Sequence, residues 1–253
     1  MFSATFIQED ASVDPSLFYK YIPENIYFDM ASCQFSMHYM FSSEAKVRNW
    51  LQNATKKLLN GGFFVCTHPD ANVIAKKIKD DSFWDERTQC WVSENRFYSL
   101  ISSTKEFPKT NGPFGFPYGF FLTDNLVGFR EELPEKHILH YVPEYLVIIP
   151  SLVKIAKEYD LELVESKNLH EFYSENIGER ENYELFTRRM KFKTDANMTF
   201  LMDKDLWDVS YLYRYVLLNR ILVFQKAEGE DASSFDRSTF KGRNYFKVHK
   251  KLN

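Results

Sequence analysis

A strand, a helix and a second strand in immediate succession between positions 26 and 67 constrain this chain more than any other feature. Ile26 to Ala31 is a buried-strand-like run. Ser42 or Ser43 then caps a helix on which Val47, Leu51, Ala54 and Leu58 recur at helical spacing, with Lys56 and Lys57 in the last turns and Asn60-Gly61-Gly62 as the stop. Phe63 to Thr67 is a short continuous apolar run, as expected of a strand covered on both faces. A helical crossover of this kind returns the chain to pair in parallel and with right-handed connection, which predicts an α/β sheet. Gln34, His38 and Tyr39 then fall at the C-terminal edge of the first strand, the edge at which open α/β sheets bind ligands.

The flanks extend this unit. Ala4 to Ile7 is an apolar, strand-like run ending in Gln8-Glu9-Asp10, and residues 11 to 25 form an exposed connection with a short helix around Leu17 to Tyr21. His68-Pro69-Asp70 makes a turn, Asp70 caps a helix from Ala71 to about Lys79, and Arg96 to Ile101 is a strand. The stretch 104 to 119 is dense in proline and glycine and interleaved with Phe107, Phe114, Phe116 and Tyr118, the make-up of either a surface aromatic staple or a ligand-binding lid. Residues 123 to 137 read as a solvated insertion. Tyr141 to Ile148 is strand-like, Pro150 opens a helix through Tyr159, and Leu161 to Val164 is a strand. Residues 168 to 191 make one or two surface helices. Asp203 to Leu218 reads as a helix with Leu206, Val209, Leu212 and Val216 inward, and Ile221 to Phe224 as the last strand. The division is a domain over 1–226 and a flexible linker with a basic aromatic tail over 227–253, in which Arg237, Lys241, Arg243, Lys247, Lys250 and Lys251 surround Phe240, Tyr245 and Phe246.

Composition narrows the function classes. With 253 residues, 44% of them hydrophobic, the chain has ample material for a core. A net charge of −3 gives no general attraction to RNA or membrane, so nucleic-acid contact must come from a local patch or from close reading of a small feature. Cys33, Cys66 and Cys90 are far apart and odd in number, which fits a reducing compartment. No apolar run is long enough to cross a bilayer, and Met1 to Asp10 lack the regions of a signal peptide, so the expectation is cytosolic or nuclear. There is no Walker A, no GxGxxG after a strand, no GxSxG and no HExxH. His137, His140 and Glu144 have the spacing of metal ligands on a helix, but Pro143 and the β-branched residues after it argue against a helix there, and no metal is expected.

Phe28-Asp29-Met30-Ala31-Ser32-Cys33-Gln34-Phe35-Ser36-Met37-His38-Tyr39, completed by Phe41, resembles in order and spacing the (D)xxSCQFxxHYxF signature of eukaryotic mRNA cap guanine-N7 methyltransferases. Gly61-Gly62-Phe63-Phe64 with Thr67-His68-Pro69-Asp70 looks like the family's GGxFxxTxPD/N run, and Phe114-Gly115-x-x-Tyr118 resembles its FGxxY loop. Val142 to Val147 is similar to VPEFLV, Glu171-Phe172-Tyr173 to the EFY element, and Trp207 to Tyr213 to WExxSxY. Phe2 to Ile7 with Asp10 is similar to the segment ending the third strand of the class I methyltransferase sheet. The family's glycine-rich first motif and its ribose-holding acid have no counterpart in the sequence. The insertion 123 to 137 and the added residues Arg214 to Asn219 are further departures.

The resemblance implies a Rossmann-like class I methyltransferase sheet, incomplete at the N-terminus, with an inserted cap-pocket loop region. It implies methyl transfer from S-adenosyl-L-methionine to N7 of the GpppN cap of mRNA in the nucleus, the alternative being a truncated, non-catalytic cap-binding or regulatory relative. Asp10, Gln34 and Tyr39 would line the adenosine side of the methyl donor; His38, Tyr39, Phe114, Glu144 and Tyr213 would form the guanine pocket, with Pro69 on its wall. Capped RNA is the implied partner, alongside other capping enzymes, RNA polymerase II or a small activating subunit, with neither membrane nor DNA. No acid or base is required. The residues alone leave a plainer reading open: Gln34 and His38 as satisfied polar groups, Phe114 and Tyr118 as loop packing, Glu144 as an exposed turn residue, Tyr213 as core, and the tail as a solvated end.

Overall fold

The computed structural model describes residues 4, 6–107, 114–122, 143–194, 201 and 203–220, with the backbone alone at Tyr21. All of them belong to one compact unit, 1–222. Asp14 caps α1 (Pro15–Phe18), which a short 3-10 turn extends to Tyr21, as expected near Leu17. The central crossover follows as β1 (Phe28–Gln34), α2 (Glu44–Thr55) and β2 (Leu58–Pro69), and β1 and β2 pair in parallel from Met30↔Phe63 to Gln34↔Thr67. Ser43 is the cap, accepting from the Lys46 N–H, and Val47, Trp50 and Leu51 are the buried face.

Three expectations about this unit are corrected. The helix ends at Thr55, and Gly61-Gly62 lies inside β2 rather than stopping the helix. Leu58 is drawn into register with Phe28, and the extra residues before Phe63 are taken up as an irregularity in the pairing. Gly61 has φ +78°, a left-handed setting that favours glycine, while a Cβ on Gly62 would lie 2.9 Å from the Asp29 carbonyl oxygen, so Gly61 serves the backbone bend and Gly62 the close strand approach. His68 and Pro69 continue the strand instead of turning, and the N-cap Asp70 starts α3 (Ala71–Asp80). Ala4, Phe6 and Ile7 form no strand.

A second sheet is antiparallel and five-stranded: β3 (Phe83–Asp85), β4 (Cys90–Glu94), β5 (Tyr98–Ser102), β6 (Pro117–Leu122) and β7 (Glu144–Tyr145), in sequential order. Sequence periodicity found β5 but missed β3 and β4, which are short and half exposed. Strand β6 occupies the end of the proline- and glycine-rich stretch. Of the run 141–148, only Glu144 and Tyr145 are strand among the described residues. The expected insertion 123–137 lies outside them, as do His137 and His140.

The chain then makes α4 (Ile149–Lys157), with Pro150 in its first turn, and β8 (Leu161–Asn168). The surface helices expected over 168–191 are α5 (Leu169–Asn176), with a capping box from Asn168 and Glu171, and α6 (Arg180–Glu184), with a π turn over Leu185–Arg189. Helix α7 (Lys204–Tyr211) is capped by Asp203, and β9 (Tyr213–Arg220) follows at once. The expected helix through Leu218 is therefore wrong over its second half, and Leu206 is exposed. Strand β9 pairs antiparallel with both β2 and β8, giving the four-stranded order β1-β2-β9-β8. Leu212, Val216 and Leu218 are buried at the spacing of a strand, and two ladders of hydrogen bonds outweigh the helical spacing of 206, 209, 212 and 216. Arg214 to Asn219 are the strand itself, so the supposed insertion there disappears. Residues 221–226 and the basic tail lie outside the described residues.

Two cores result. Met37, Phe41, Trp50, Phe64, Leu152, Val216 and their neighbours fill the space between the four-stranded sheet and α2 and α4. Ile74, Leu100, Tyr118, Phe120, Leu146 and Leu212 join α3 to the five-stranded sheet.

Candidate functional site

The C-terminal ends of β1 and β2 and the start of β9 meet at one edge, where Gln34 pairs with Thr67 and Pro69 with Tyr213. Beyond β1 the chain makes a 3-10 turn, Met37–Ser42, which buries His38 and Met37 and packs against β7. That packing brings Glu144, a residue 106 positions later in the sequence, to His38. Nε2 of His38 lies 3.4 Å from Oε1 of Glu144, with each side chain only 3% exposed. The distance is that of an ion pair, yet neither ring nitrogen of His38 makes a hydrogen bond among the described residues. Oε2 of Glu144 accepts a 2.7 Å hydrogen bond from the Tyr118 hydroxyl, also buried. Glu144 is thus no exposed turn residue.

Aromatic rings surround this carboxylate. The Tyr39 ring lies 4.2 Å from that of His38. Tyr213, at the head of β9, meets Phe35 edge-on at 5.1 Å and Phe120 at 6.0 Å. Burial, and then the charge of Glu144, raises the hydroxyls of Tyr118, Tyr213 and Tyr39, so all three stay protonated donors at neutral pH. The hydroxyls of Tyr39 and Tyr213 make no hydrogen bond among the described residues. Phe35 is held at φ +52° with its N–H on Thr67, an unfavourable backbone setting for a large residue at the rim.

The remaining expected residues divide. Pro69 is buried at the end of β2 beside Tyr213. Phe114 packs on Phe41 at 5.6 Å, and the Gly115 N–H donates to the Phe41 carbonyl, so this loop braces the 3-10 turn. Gln34 is exposed, its amide donating to Ser32 and accepting from Thr67. Asp10 is not gathered with the others: its Oδ1 accepts from the Ser12 N–H and hydroxyl, which lowers its pKa, and the turn is tied to α2 by Asn49 and Asn53. Its Oδ2 has no partner among the described residues. No group of three metal-ligating side chains occurs among the described residues.

Two residues were missed as parts of the site. Tyr118 looked like loop packing, because nothing in the sequence links a phenol to a carboxylate 26 positions away. His68 is fully buried, its Nδ1–H on the Pro69 carbonyl and its Nε2 unpartnered, with its pKa lowered to about 4 chiefly by burial.

A buried carboxylate with one oxygen fixed and the other open, beside aromatic faces and orphaned ring nitrogens, is suited to a flat, polar-edged ligand that presents N–H donors. The family model for the mRNA (guanine-N(7))-methyltransferase domain matches residues 1–221. The chain is 35% identical over 202 residues to mRNA cap guanine-N(7) methyltransferase 1 of Arabidopsis thaliana, covering 79% of this chain and 50% of that protein. It is 34% identical to the rice (Oryza sativa subsp. japonica) protein of the same name, again over 79% of this chain and 50% of that protein. A solved S-adenosylmethionine-dependent methyltransferase from Clostridium acetobutylicum aligns with a TM-score of 0.38 at 11% identity, over 85% of this chain and 63% of that one. The chain spans about half the length of the curated relatives it matches.

Proposed function

The chain belongs to the mRNA cap guanine-N7 methyltransferase family, and from that premise we propose that it serves the transfer of a methyl group from S-adenosyl-L-methionine to N7 of the guanine capping mRNA. The observation that carries the reading is the buried Glu144 carboxylate among Tyr118, His38, Tyr39 and Tyr213. Glu144 accepts from the guanine N1–H and exocyclic amine, and its negative charge favours a ring that becomes cationic. Tyr39 and Tyr213 pack on the base, as aromatic groups do when proteins grip an unstacked nucleotide. Phe114 braces the turn that carries His38, and Pro69 closes the wall.

Guanine N7 carries a free lone pair. It attacks the sulfonium methyl carbon in line; the carbon–sulfur bond breaks, its electron pair returns to sulfur, and the positive charge passes to the guanine. No proton moves, so no general base is needed, and the protein contributes alignment and field. On the donor side, Gln34 and Tyr39 border the adenosine. Capped RNA is the macromolecular substrate. On the same reading we propose nuclear localisation, with other capping enzymes, RNA polymerase II or a small activating subunit as protein partners; a fluorescently tagged chain excluded from nuclei would remove that part.

One observation favours a second reading, a cap-binding relative that transfers nothing: the Gln34 amide on the donor side is already engaged by Ser32 and Thr67, whereas Glu144 keeps an open oxygen. Calorimetry of the chain with GpppG and with S-adenosylhomocysteine, together with methyl transfer to capped RNA, separates the two. Binding of both ligands with transfer supports the enzyme; GpppG binding without the other two supports the relative. A Glu144→Ala protein that binds GpppG as tightly as the parent would overturn the site itself.

A further inference from the structure

Glu144 sits on a strand of only two residues, and something must set the direction of its carboxylate. Tyr118 stands directly opposite it in the antiparallel register of β6 and β7, which puts the two side chains on one face of the sheet. The Tyr118 hydroxyl donates to Oε2 at 2.7 Å, and Tyr118 is 1% exposed, so water does not compete for that bond. Tyr118 is itself wedged in the second core with Leu100, Phe120 and Leu146, which holds its ring in place.

We propose that Tyr118 is the positioning residue that makes the Glu144 site selective for guanine. A carboxylate accepts about four hydrogen bonds, so Tyr118 fixes the carboxylate plane while leaving Oε1 and one lone pair of Oε2 for a ligand. Two parallel donors, the N1–H and the exocyclic amine of guanine, match that arrangement. Terminal rotation of a glutamate carboxylate is soft. With the phenol removed, the group turns toward His38 Nε2, 3.4 Å from Oε1, and its two oxygens no longer present themselves together. Adenine, which offers an acceptor at N1, is refused by the charge alone. The discrimination that depends on Tyr118 is between guanine and hypoxanthine, which keeps N1–H but lacks the amine.

This assignment rests on the cap-guanine reading of Glu144, and the test separates the two. The chain and its Tyr118→Phe, Glu144→Gln and doubly substituted forms are titrated with GpppA and with IpppA, each of which offers the pocket a single N1–H base because adenine is refused, with near-ultraviolet circular dichroism as a check of folding. The parent is expected to prefer GpppA by about tenfold, as one good hydrogen bond to a charged acceptor would give. Tyr118→Phe is expected to keep IpppA binding within about threefold and to bring the preference for GpppA below threefold. In the double variant the preference should match that of Glu144→Gln alone, because Tyr118 acts through Glu144. A Tyr118→Phe protein that retains the full preference overturns the assignment while leaving the cap reading intact. If Tyr118→Phe does not fold, Glu144→Asp takes its place, since its shorter side chain draws the carboxylate out of reach of the Tyr118 hydroxyl; a Glu144→Asp protein that keeps the full preference for guanine overturns the assignment as well. Failure of the parent to bind GpppA removes the cap reading, and the assignment with it.

Discussion

His38 Nε2 and Glu144 Oε1 face each other at 3.4 Å inside the protein, yet neither nitrogen of the His38 ring is hydrogen bonded among the described residues. A buried donor left without a partner costs stability, on the order of 1–3 kcal/mol. Such a group persists where a ligand completes it. Replacing His38 by Phe should therefore change unfolding stability by no more than about 1 kcal/mol. GpppG binding should fall at least tenfold. Urea unfolding and a binding titration on the same preparation check this, and a variant that loses both in proportion would make His38 a structural residue.

Arg214 Nε donates to Oδ2 of the buried Asp70 at 2.9 Å, and Asn168 donates to the same oxygen at 3.1 Å. This network joins the start of α3 to β8 and β9. Arg214→Met removes the charge partner and leaves the Asp70 carboxylate with only the neutral Asn168 amide and Asn72 N–H, which is expected to cost about 3 kcal/mol. Adding Asp70→Asn should recover part of the loss, since no buried charge then remains. Equilibrium unfolding of the two singles and the double decides it.

At Gly62, a Cβ would meet the backbone oxygens of Leu59 at 2.8 Å and Asp29 at 2.9 Å. Backbone cannot swing away as a side-chain end can, so Gly62→Ala must push β1 and β2 apart at their first contact. The expected cost is about 2 kcal/mol. A melting temperature equal to that of the parent would show that β1 is not seated as described.

Burial lowers His68 to about 4, against an ordinary value of 6.5. Between those two values the unfolded chain binds a proton that the folded chain refuses. Stability is therefore full above pH 6.5 and falls as the pH is lowered through that window, by about 3 kcal/mol in total. His68→Phe should flatten this part of the stability profile. The comparison of urea midpoints at pH 7 and pH 4.5 for parent and variant is the measurement, and parallel profiles would contradict it.

Much of this architecture was legible because local signals carried it. Ser43, Asp70 and Asp203 are capping residues that announce their helices, and the apolar run at Phe63 announces a strand, though one fully covered on a single face, since Phe63 is 37% exposed and Val65 half-buried. The misreadings have physical causes too. The run 203–218 satisfies both a helical and an alternating pattern after Tyr211, and pairing with two neighbouring strands decides between them. The glycines at 61 and 62 look like a helix stop, since nothing local reveals that the backbone of Asp29 passes against Gly62.

The sequence by itself determined the parallel crossover unit, the helix starts and the family, all of which depend on residues close together in the chain or on their order. Only the tertiary structure decided that Glu144 is buried, that Tyr118 holds it, and that Tyr213 heads a strand rather than lying within a helix. Those facts depend on contacts between β7, β6, β9 and the turn after β1, whose side chains meet only once the two cores have closed. A buried carboxylate is defined by what surrounds it, and residues distant in the chain supply that surrounding.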